Sequence, residues 1–178
     1  MILISHRGNI SGKQPELENK PSYIADALNS GYHCEVDIWF TNGKFMLGHD
    51  EPVYTFPFEL FDSFFSKLWL HCKNIEAIVA LNEFPNGHLI NYFWHQEDDI
   101  TLTSKGYIWA YPGKQPIKNS IAVMPELNKD DLTKALLPAG ELLVKVFSLA
   151  TYIGSYAIDL VKSSNELASS SVKSFINL

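Results

Sequence analysis

The chain has 178 residues, of which 46% are hydrophobic and 19% charged, and its formal net charge is −6. This length and composition predict one globular domain with a sizeable core. The acidic balance argues against nucleic acid as a partner, because nucleic-acid interfaces are basic. It does not exclude a small anionic ligand, because a local cation outweighs a distant field.

Targeting signals are not evident in the sequence. The N-terminus lacks the basic and long apolar regions of a secretory leader, and the most apolar stretch, 142–161, is interrupted by Lys145 and Asp159. We therefore expect no stable membrane insertion. Cys34 and Cys72 lie in apolar runs without metal-type spacing. They predict buried thiols in a reducing, cytoplasmic compartment.

Short apolar runs and the stretches between them predict alternating strands and helices. We expect strands near 2–5, 33–39, 44–48, 68–72, 91–95, 107–111 and 121–124, with a weaker one at 141–148. We expect helices over 21–29, 58–67, 75–82 and 128–137, and a serine-rich stretch at 163–174 that frays or forms a terminal helix. Pro21 suits the first turn of its helix, and Gly31 suits the stop.

The alternation favours parallel strands joined by crossover helices. A full eight-stranded barrel typically needs about 250 residues, and several crossovers here are short. The predicted fold is therefore a compressed or incomplete TIM-type (β/α) barrel, as a single domain over 1–178. The segment 139–178 is divergent and its role is open.

Asn42-Gly43 lies between two apolar runs and predicts a β-hairpin extension after the second strand. A strict two-residue turn would pair His49 with Val36 and point it to the wrong face. A three-residue turn or a one-residue bulge would pair it with Asp37 and point it inward. We expect the second arrangement.

Two carboxylates lie two residues apart on the second predicted strand, so both side chains point the same way. Glu35 and Asp37 would repel each other unless a cation or a proton lay between them. Carboxylate oxygens suit Mg²⁺, Ca²⁺ or Mn²⁺. A solvated pair bridged to lysines is the alternative reading.

Histidines follow the first and third predicted strands, and both are expected beside these carboxylates. His6 and His49 could act as a general acid and a general base, and Arg7, the only arginine, offers a fork of donors that fits phosphate oxygens. With a metal ion, this set suits cleavage of a phosphoric ester. Each histidine taken alone could equally be structural.

Further polar and aromatic residues end the later strands. Alternation places His71 and Lys73 on one face, as a third ligand and a phosphate-holding cation. Trp94, His95 and Trp109 could form a pocket wall that stacks on substrate, although strand-end aromatics are often plain core.

The order of these fragments resembles the signature of the glycerophosphodiester phosphodiesterase family. The resemblance covers residues 3–52, and more weakly extends to Lys73, through His6-Arg7-Gly8, Glu18-Asn19, Glu35-x-Asp37, the Asn-Gly turn and His49-Asp50. Each piece is weak alone, but the ordered set with fitting spacings is specific.

The resemblance implies a TIM barrel and metal-dependent hydrolysis of glycerophosphodiesters, or a related small phosphodiester, to a phosphomonoester and an alcohol. It implies one divalent ion, Mg²⁺, Ca²⁺, Mn²⁺ or Zn²⁺. It makes His6 and His49 the acid–base pair and Glu35 and Asp37 metal ligands. It implies that Arg7 binds the substrate phosphate and that Glu18, Asn19 and Asp50 support the site.

The third metal ligand departs from the family pattern. The family has an acidic residue two before the lysine, where this chain has His71, which shifts metal preference toward Mn²⁺ or Zn²⁺. Three alternatives stay open: formation of a cyclic phosphate, a catalytically weak or inactive phosphodiester-binding homologue, and a different metal-dependent hydrolase.

Overall fold

The computed structural model describes residues 2–112, 114, 120–124 and 144–147. The predicted helix at 128–137, the serine-rich stretch at 163–174 and most of the segment 139–178 lie outside these residues.

The described residues form ten strands, three α-helices and two 3₁₀ segments. The strands are β1 Ile2–His6, β2 His33–Thr41, β3 Lys44–Leu47, β4 Tyr54–Thr55, β5 Leu68–Cys72, β6 Asn91–Trp94, β7 Ile100–Leu102, β8 Ile108–Ala110, β9 Ser120–Val123 and β10 Val144–Phe147. The helices are α1 Pro21–Asn29, α2 Phe58–Phe61 and α3 Ile75–Glu83, and the 3₁₀ segments are Asp62–Lys67 and Gly87–Leu89. All eight predicted strands are confirmed, whereas β4 and β7 were not predicted.

Parallel pairing orders the central strands as β6-β5-β2-β1-β10-β9-β8. β3 is antiparallel to β2, β4 to β3, and β7 to β8. The hydroxyl of Thr101 on β7 donates to the carbonyl oxygen of Trp94 on β6 at 2.8 Å. No ladder joins these two strands within the described residues, so the barrel stays a prediction.

Side-chain alternation gives the sheet two different faces. On β2 and β5 one face presents apolar residues to the helices: Cys34, Val36, Ile38, Leu68, Leu70 and Cys72. The opposite face presents Trp69, within a second apolar cluster, and then polar side chains toward the carboxyl ends of the strands. Both cysteines are free and buried, and burial raises the pKa of each thiol to about 12.

The β2–β5–α3 junction is held by one asparagine. Asn74 caps α3, where its Oδ1 accepts from the Ala77 amide. The same Oδ1 accepts from the amide of Phe40 at 3.0 Å, and Nδ2 donates to the Phe40 carbonyl at 2.8 Å. One side chain therefore replaces a strand partner for β2 and begins the next helix.

Replacing Asn74 with alanine is expected to lower the free energy of unfolding by about 2–3 kcal/mol, because a cap and two backbone partners are lost. Urea unfolding followed by circular dichroism measures this. Asn74→Asp keeps the acceptor and loses the donor, so its loss should be smaller than that of the alanine variant. Equal losses would contradict this account of the junction.

Among the described residues, no helix is long and apolar enough to cross a bilayer. The apolar stretch 142–161 lies outside the described residues except at 144–147.

Candidate functional site

Three neighbouring parallel strands bring the predicted site residues together. β1 lies beside β2 with His6 opposite Glu35, and β2 lies beside β5 with Asp37 opposite His71. Parallel strands end at the same edge of a sheet, and a crevice at their carboxyl ends is where α/β proteins bind ligands. Residues far apart in sequence thereby become neighbours.

Glu35, Asp37 and His71 form a cluster that could hold a metal ion. One ligand atom from each lies within 4.8 Å of the others. His71 Nδ1 lies 3.1 Å from Asp37 Oδ1 and 3.9 Å from Glu35 Oε1. Both carboxylates are buried, with relative exposures of 2% and 0%.

The two carboxylates keep unsatisfied oxygens. Glu35 Oε2 and Asp37 Oδ1 are buried without a hydrogen-bond partner, and such atoms are costly unless a cation satisfies them. Burial, followed by the charge of Asp37, raises the pKa of Glu35. Burial alone would also raise the pKa of Asp37, but His71 and Arg7 hold it well below its usual value. The cluster therefore fits a divalent cation.

His71 has the orientation that a metal-binding histidine usually has. Its Nε2 lies 2.9 Å from the backbone carbonyl oxygen of His95, which can only accept, so Nε2 carries the proton. In the neutral ring, Nδ1 would direct its lone pair toward the carboxylates and so toward a cation held among them. The ring stacks on Phe93 with centroids 5.1 Å apart and planes 3° apart. A fixed ring that donates from its far nitrogen is typical of a metal ligand.

Arg7 is held by two carboxylates of the protein. Its Nη1 donates to Glu18 Oε2 at 3.0 Å, and its Nε lies 2.8 Å from Asp37 Oδ2 as a charge contact without hydrogen-bond alignment. Its φ of 56° is in the left-handed region. Only part of the guanidinium fork is left for the predicted phosphate contact.

Glu18 and Asn19 support the site from the loop between β1 and α1. Glu18 accepts from Arg7 and, at 2.9 Å, from the Asn9 amide group. Asn19 is buried with φ 61°; its Nδ2 donates to Asp37 Oδ2 at 2.9 Å, and its Oδ1 accepts from the Asp37 amide at 2.9 Å. These bonds fix Asp37 at both its side chain and its backbone. Positive φ at Arg7 and Asn19 places local strain at the site.

The hairpin differs from its prediction. β2 and β3 pair Thr41 with Lys44 and Ile38 with Leu47, so the turn is the two-residue Asn42-Gly43 turn and not a three-residue or bulged one. Asn42 and Gly43 both have positive φ, which allows the tight connection. The turn therefore does not explain why His49 points inward.

The cause is the backbone at Gly48. The paired register with β2 ends at Leu47, followed by one more hydrogen bond from the Gly48 amide to the Asp37 carbonyl at 3.3 Å. Gly48 adopts a φ of 150°, where a Cβ atom would lie 2.0 Å from the carbonyl oxygen of Glu51. The Trp39 indole donates to the Gly48 carbonyl at 2.6 Å and holds the bend. The chain leaves the ladder here, and His49 lines the same cavity as His6.

Gly48→Ala is expected to lower the free energy of unfolding by about 3 kcal/mol and to displace His49, because the new methyl group meets backbone. Gly106→Ala is the matched control, since Gly106 also has positive φ (78°) but open space around it. Thermal unfolding of both variants checks this. If Gly106→Ala loses as much stability as Gly48→Ala, the loss comes from the positive φ and not from the clash with the backbone.

The imidazole of His49 is oriented by the next residue. Its Nδ1 lies 2.7 Å from Asp50 Oδ1, and the His49 side chain is 42% exposed. The carboxylate can only accept, so Nδ1 carries the proton in this contact. Nε2 is the nitrogen left to exchange a proton with a ligand.

His6 has the opposite environment. Its Nε2 lies 3.8 Å from Glu35 Oε2, and its side chain is 13% exposed. Burial, followed by the charge of Arg7, lowers the pKa of His6 to about 4. His6 is therefore neutral near pH 7 and able to accept a proton.

A cavity of about 480 Å³ is lined by His6, Glu35, His49 and His71. Its wall includes His95 and Trp109, as predicted, and Lys73, whose Nζ lies 3.6 Å from Asp37 Oδ1. Trp94, which was also predicted for this wall, is not brought to it but packs against the helix-side core. Phe93 takes that place, because alternation along β6 puts residues 93 and 95 on the cavity side, and it stacks on Trp109 with centroids 4.2 Å apart.

Sequence reasoning missed two site residues in the β1–α1 loop. Buried Asn9 binds Glu18 and, through its Oδ1, the amide of Gln14 at 3.0 Å. Lys13 is exposed and lines the cavity. The only sequence signal was their place shortly after His6-Arg7-Gly8, in a loop that follows a strand end.

No protein-family model, curated protein or solved structure matches this chain.

Proposed function

We propose that this protein is a metal-dependent phosphodiesterase that hydrolyses glycerophosphodiesters, or a related small phosphodiester, to a phosphomonoester and an alcohol. The observation that carries the proposal is one cavity lined by His6, His49 and the Glu35 and His71 donors, with Asp37 directly behind them. The resemblance of residues 3–52 to glycerophosphodiester phosphodiesterases supports the same reaction.

The donor set suits one divalent ion. Glu35, Asp37 and His71 would hold it, and the mixed oxygen and nitrogen donors favour Mn²⁺ or Zn²⁺ over Mg²⁺ or Ca²⁺. When bound, the ion would polarise the phosphoryl group and stabilise the charge that develops there.

The histidines supply proton transfer. Neutral His6 accepts a proton from the attacking water as its oxygen bonds to phosphorus. His49, oriented by Asp50, delivers a proton to the leaving alcohol as the other phosphorus–oxygen bond breaks. Lys73 and the remaining donors of Arg7 attract the phosphate oxygens.

The setting of the reaction is part of the proposal. We propose a compressed (β/α) barrel, with the site at the carboxyl ends of β1, β2 and β5, as in barrel enzymes generally. Two free buried thiols at Cys34 and Cys72 agree with a reducing cytoplasmic compartment.

The test is release of alcohol from glycerophosphocholine and from bis(p-nitrophenyl) phosphate by metal-stripped protein, with Mn²⁺, Zn²⁺, Mg²⁺ or Ca²⁺ added singly. We expect turnover that is highest with Mn²⁺ or Zn²⁺. Phosphorus NMR of the product separates hydrolysis from formation of a cyclic phosphate. Folded protein without turnover in any arm would overturn the proposal.

A catalytically inactive phosphodiester-binding protein is the second candidate. One observation favours it: a protonated His71 could satisfy Asp37 through their 3.1 Å contact without any metal. Calorimetry with glycerophosphocholine would then show binding without metal and without product.

A further inference from the structure

We infer that Lys13 is a further substrate-binding residue, which holds the phosphate group where two cavities meet. This inference rests on the proposed function and adds to it a residue outside the motifs. It begins from a second cavity of about 660 Å³ beside the first.

The two cavities share three lining residues, Arg7, Lys13 and His49. A phosphodiester has one phosphorus atom and two alcohol arms, so a bound diester needs space on both sides of its phosphate. The residues common to both cavities are two cations and a proton donor, which is the chemistry that a phosphate with a leaving alcohol requires.

The arrangement also gives the reaction a direction. His6 lines the 480 Å³ cavity and not the 660 Å³ one, whereas His49 lines both. Attacking and leaving oxygens lie on opposite sides of phosphorus in an in-line displacement. Water activated by His6 would attack from the smaller cavity, and the alcohol protonated by His49 would leave toward the larger.

Lys13 differs from Arg7 and Lys73 in its partners. The site holds the buried carboxylates Glu35 and Asp37 and the half-buried carboxylate Glu18. Arg7 already engages two of those carboxylates, and Lys73 contacts Asp37. Among the described residues, no hydrogen bond or ion pair engages Lys13, so its ammonium group is available to an anion.

The loop that carries Lys13 is fixed in place. The amide of the next residue, Gln14, donates to the buried Asn9 Oδ1, which also accepts from the Tyr23 hydroxyl at 3.3 Å. The amides of Leu17 and Glu18 donate to the Gln14 carbonyl at 2.9 and 3.2 Å. The backbone at Lys13 is therefore held over the junction although its side chain is exposed.

The experiment measures binding of dimethyl phosphate to the Mn²⁺-loaded protein by calorimetry, for the wild type, Lys13→Gln, Lys13→Arg and Lys44→Gln. Lys44 is an exposed lysine at the hairpin turn and serves as the control. We expect Lys13→Gln to weaken binding about tenfold, the loss of one charge-assisted contact. Lys13→Arg and Lys44→Gln should bind within about twofold of the wild type, and salt should weaken wild-type binding more than Lys13→Gln binding.

Wild-type affinity in Lys13→Gln, an equal loss in Lys44→Gln, or no wild-type binding would each overturn the inference. Turnover of bis(p-nitrophenyl) phosphate separates it from the proposed function. If Lys13-dependent binding occurs without turnover, hydrolysis fails and the role of Lys13 stands. If the wild type hydrolyses the substrate and Lys13→Gln keeps the wild-type kcat/KM, the proposed hydrolysis stands and the role of Lys13 fails.

Discussion

Replacing His49 with alanine is expected to lower kcat for phosphodiester hydrolysis by about 100- to 10,000-fold, the range for removing a general acid or base. The His49 side chain is 42% exposed, and its hydrogen bond is to the exposed Asp50. The free energy of unfolding should therefore change by less than about 0.5 kcal/mol. Steady-state kinetics with bis(p-nitrophenyl) phosphate, together with urea unfolding, measures both quantities.

The matched control is His88→Ala, because His88 is an exposed histidine that bonds a nearby carbonyl oxygen in a turn. It should keep wild-type kcat. Asp50→Asn should fall between the wild type and His49→Ala, since an amide can still accept from the imidazole but carries no charge. An active His49→Ala variant would remove His49 from the reaction and leave only His6 for proton transfer.

Glu35→Gln is expected to weaken binding of Mn²⁺ by more than about 100-fold, beyond the 10- to 100-fold typical of losing a residue that only orients a ligand. The amide keeps the size of the side chain and removes a buried negative charge beside Asp37. Calorimetric titration of metal-stripped protein with Mn²⁺ measures the affinity. The rise in unfolding temperature on adding Mn²⁺ should disappear in parallel.

Metal-free Glu35→Gln should be at least as stable as the metal-free wild type, because it no longer buries two neighbouring carboxylates. Glu76→Gln is the control: Glu76 is exposed in the first turn of α3 and should leave Mn²⁺ affinity unchanged. Undiminished Mn²⁺ binding in Glu35→Gln would mean that Glu35 is not a metal ligand. Absence of Mn²⁺ binding in the wild type would mean that the cluster is a proton-bridged salt-bridge network and not a metal site.

The sequence was most informative where short-range patterns decide the structure. The α1 boundaries agree with the prediction because Pro21 and Gly31 mark both ends of the helix. Strands with continuous apolar runs were confirmed because such a run is itself a short-range pattern. β4 and β7 have only two and three residues, and neither carries enough apolar periodicity to stand out.

The site was predictable as a set of residues and less so as a geometry. Period-two alternation correctly placed Glu35 and Asp37 on one face and His71 beside them. The same rule would have selected Phe93 over Trp94 once His95 was placed in the pocket wall, because residues 93 and 95 share a face. Long-range contacts had no local signal in the sequence. The ion pairs of Arg7 with Glu18 and Asp37 depend on neighbours that only the folded chain supplies. The same is true of the bend at Gly48.

The candidate metal ligands, together with His6 and His49, precede residue 74, whereas aromatic residues from 93 to 111 form much of the facing wall. The candidate reactive groups and the aromatic wall of the 480 Å³ cavity thus belong to separate stretches of polypeptide. Under the proposed function, substitutions at Trp109 and Tyr111 would change which alcohol arm the 480 Å³ cavity accepts, while Phe93 and the His95 carbonyl continue to orient His71. A library randomised at Trp109 and Tyr111 would be the economical route to new substrate ranges on this scaffold.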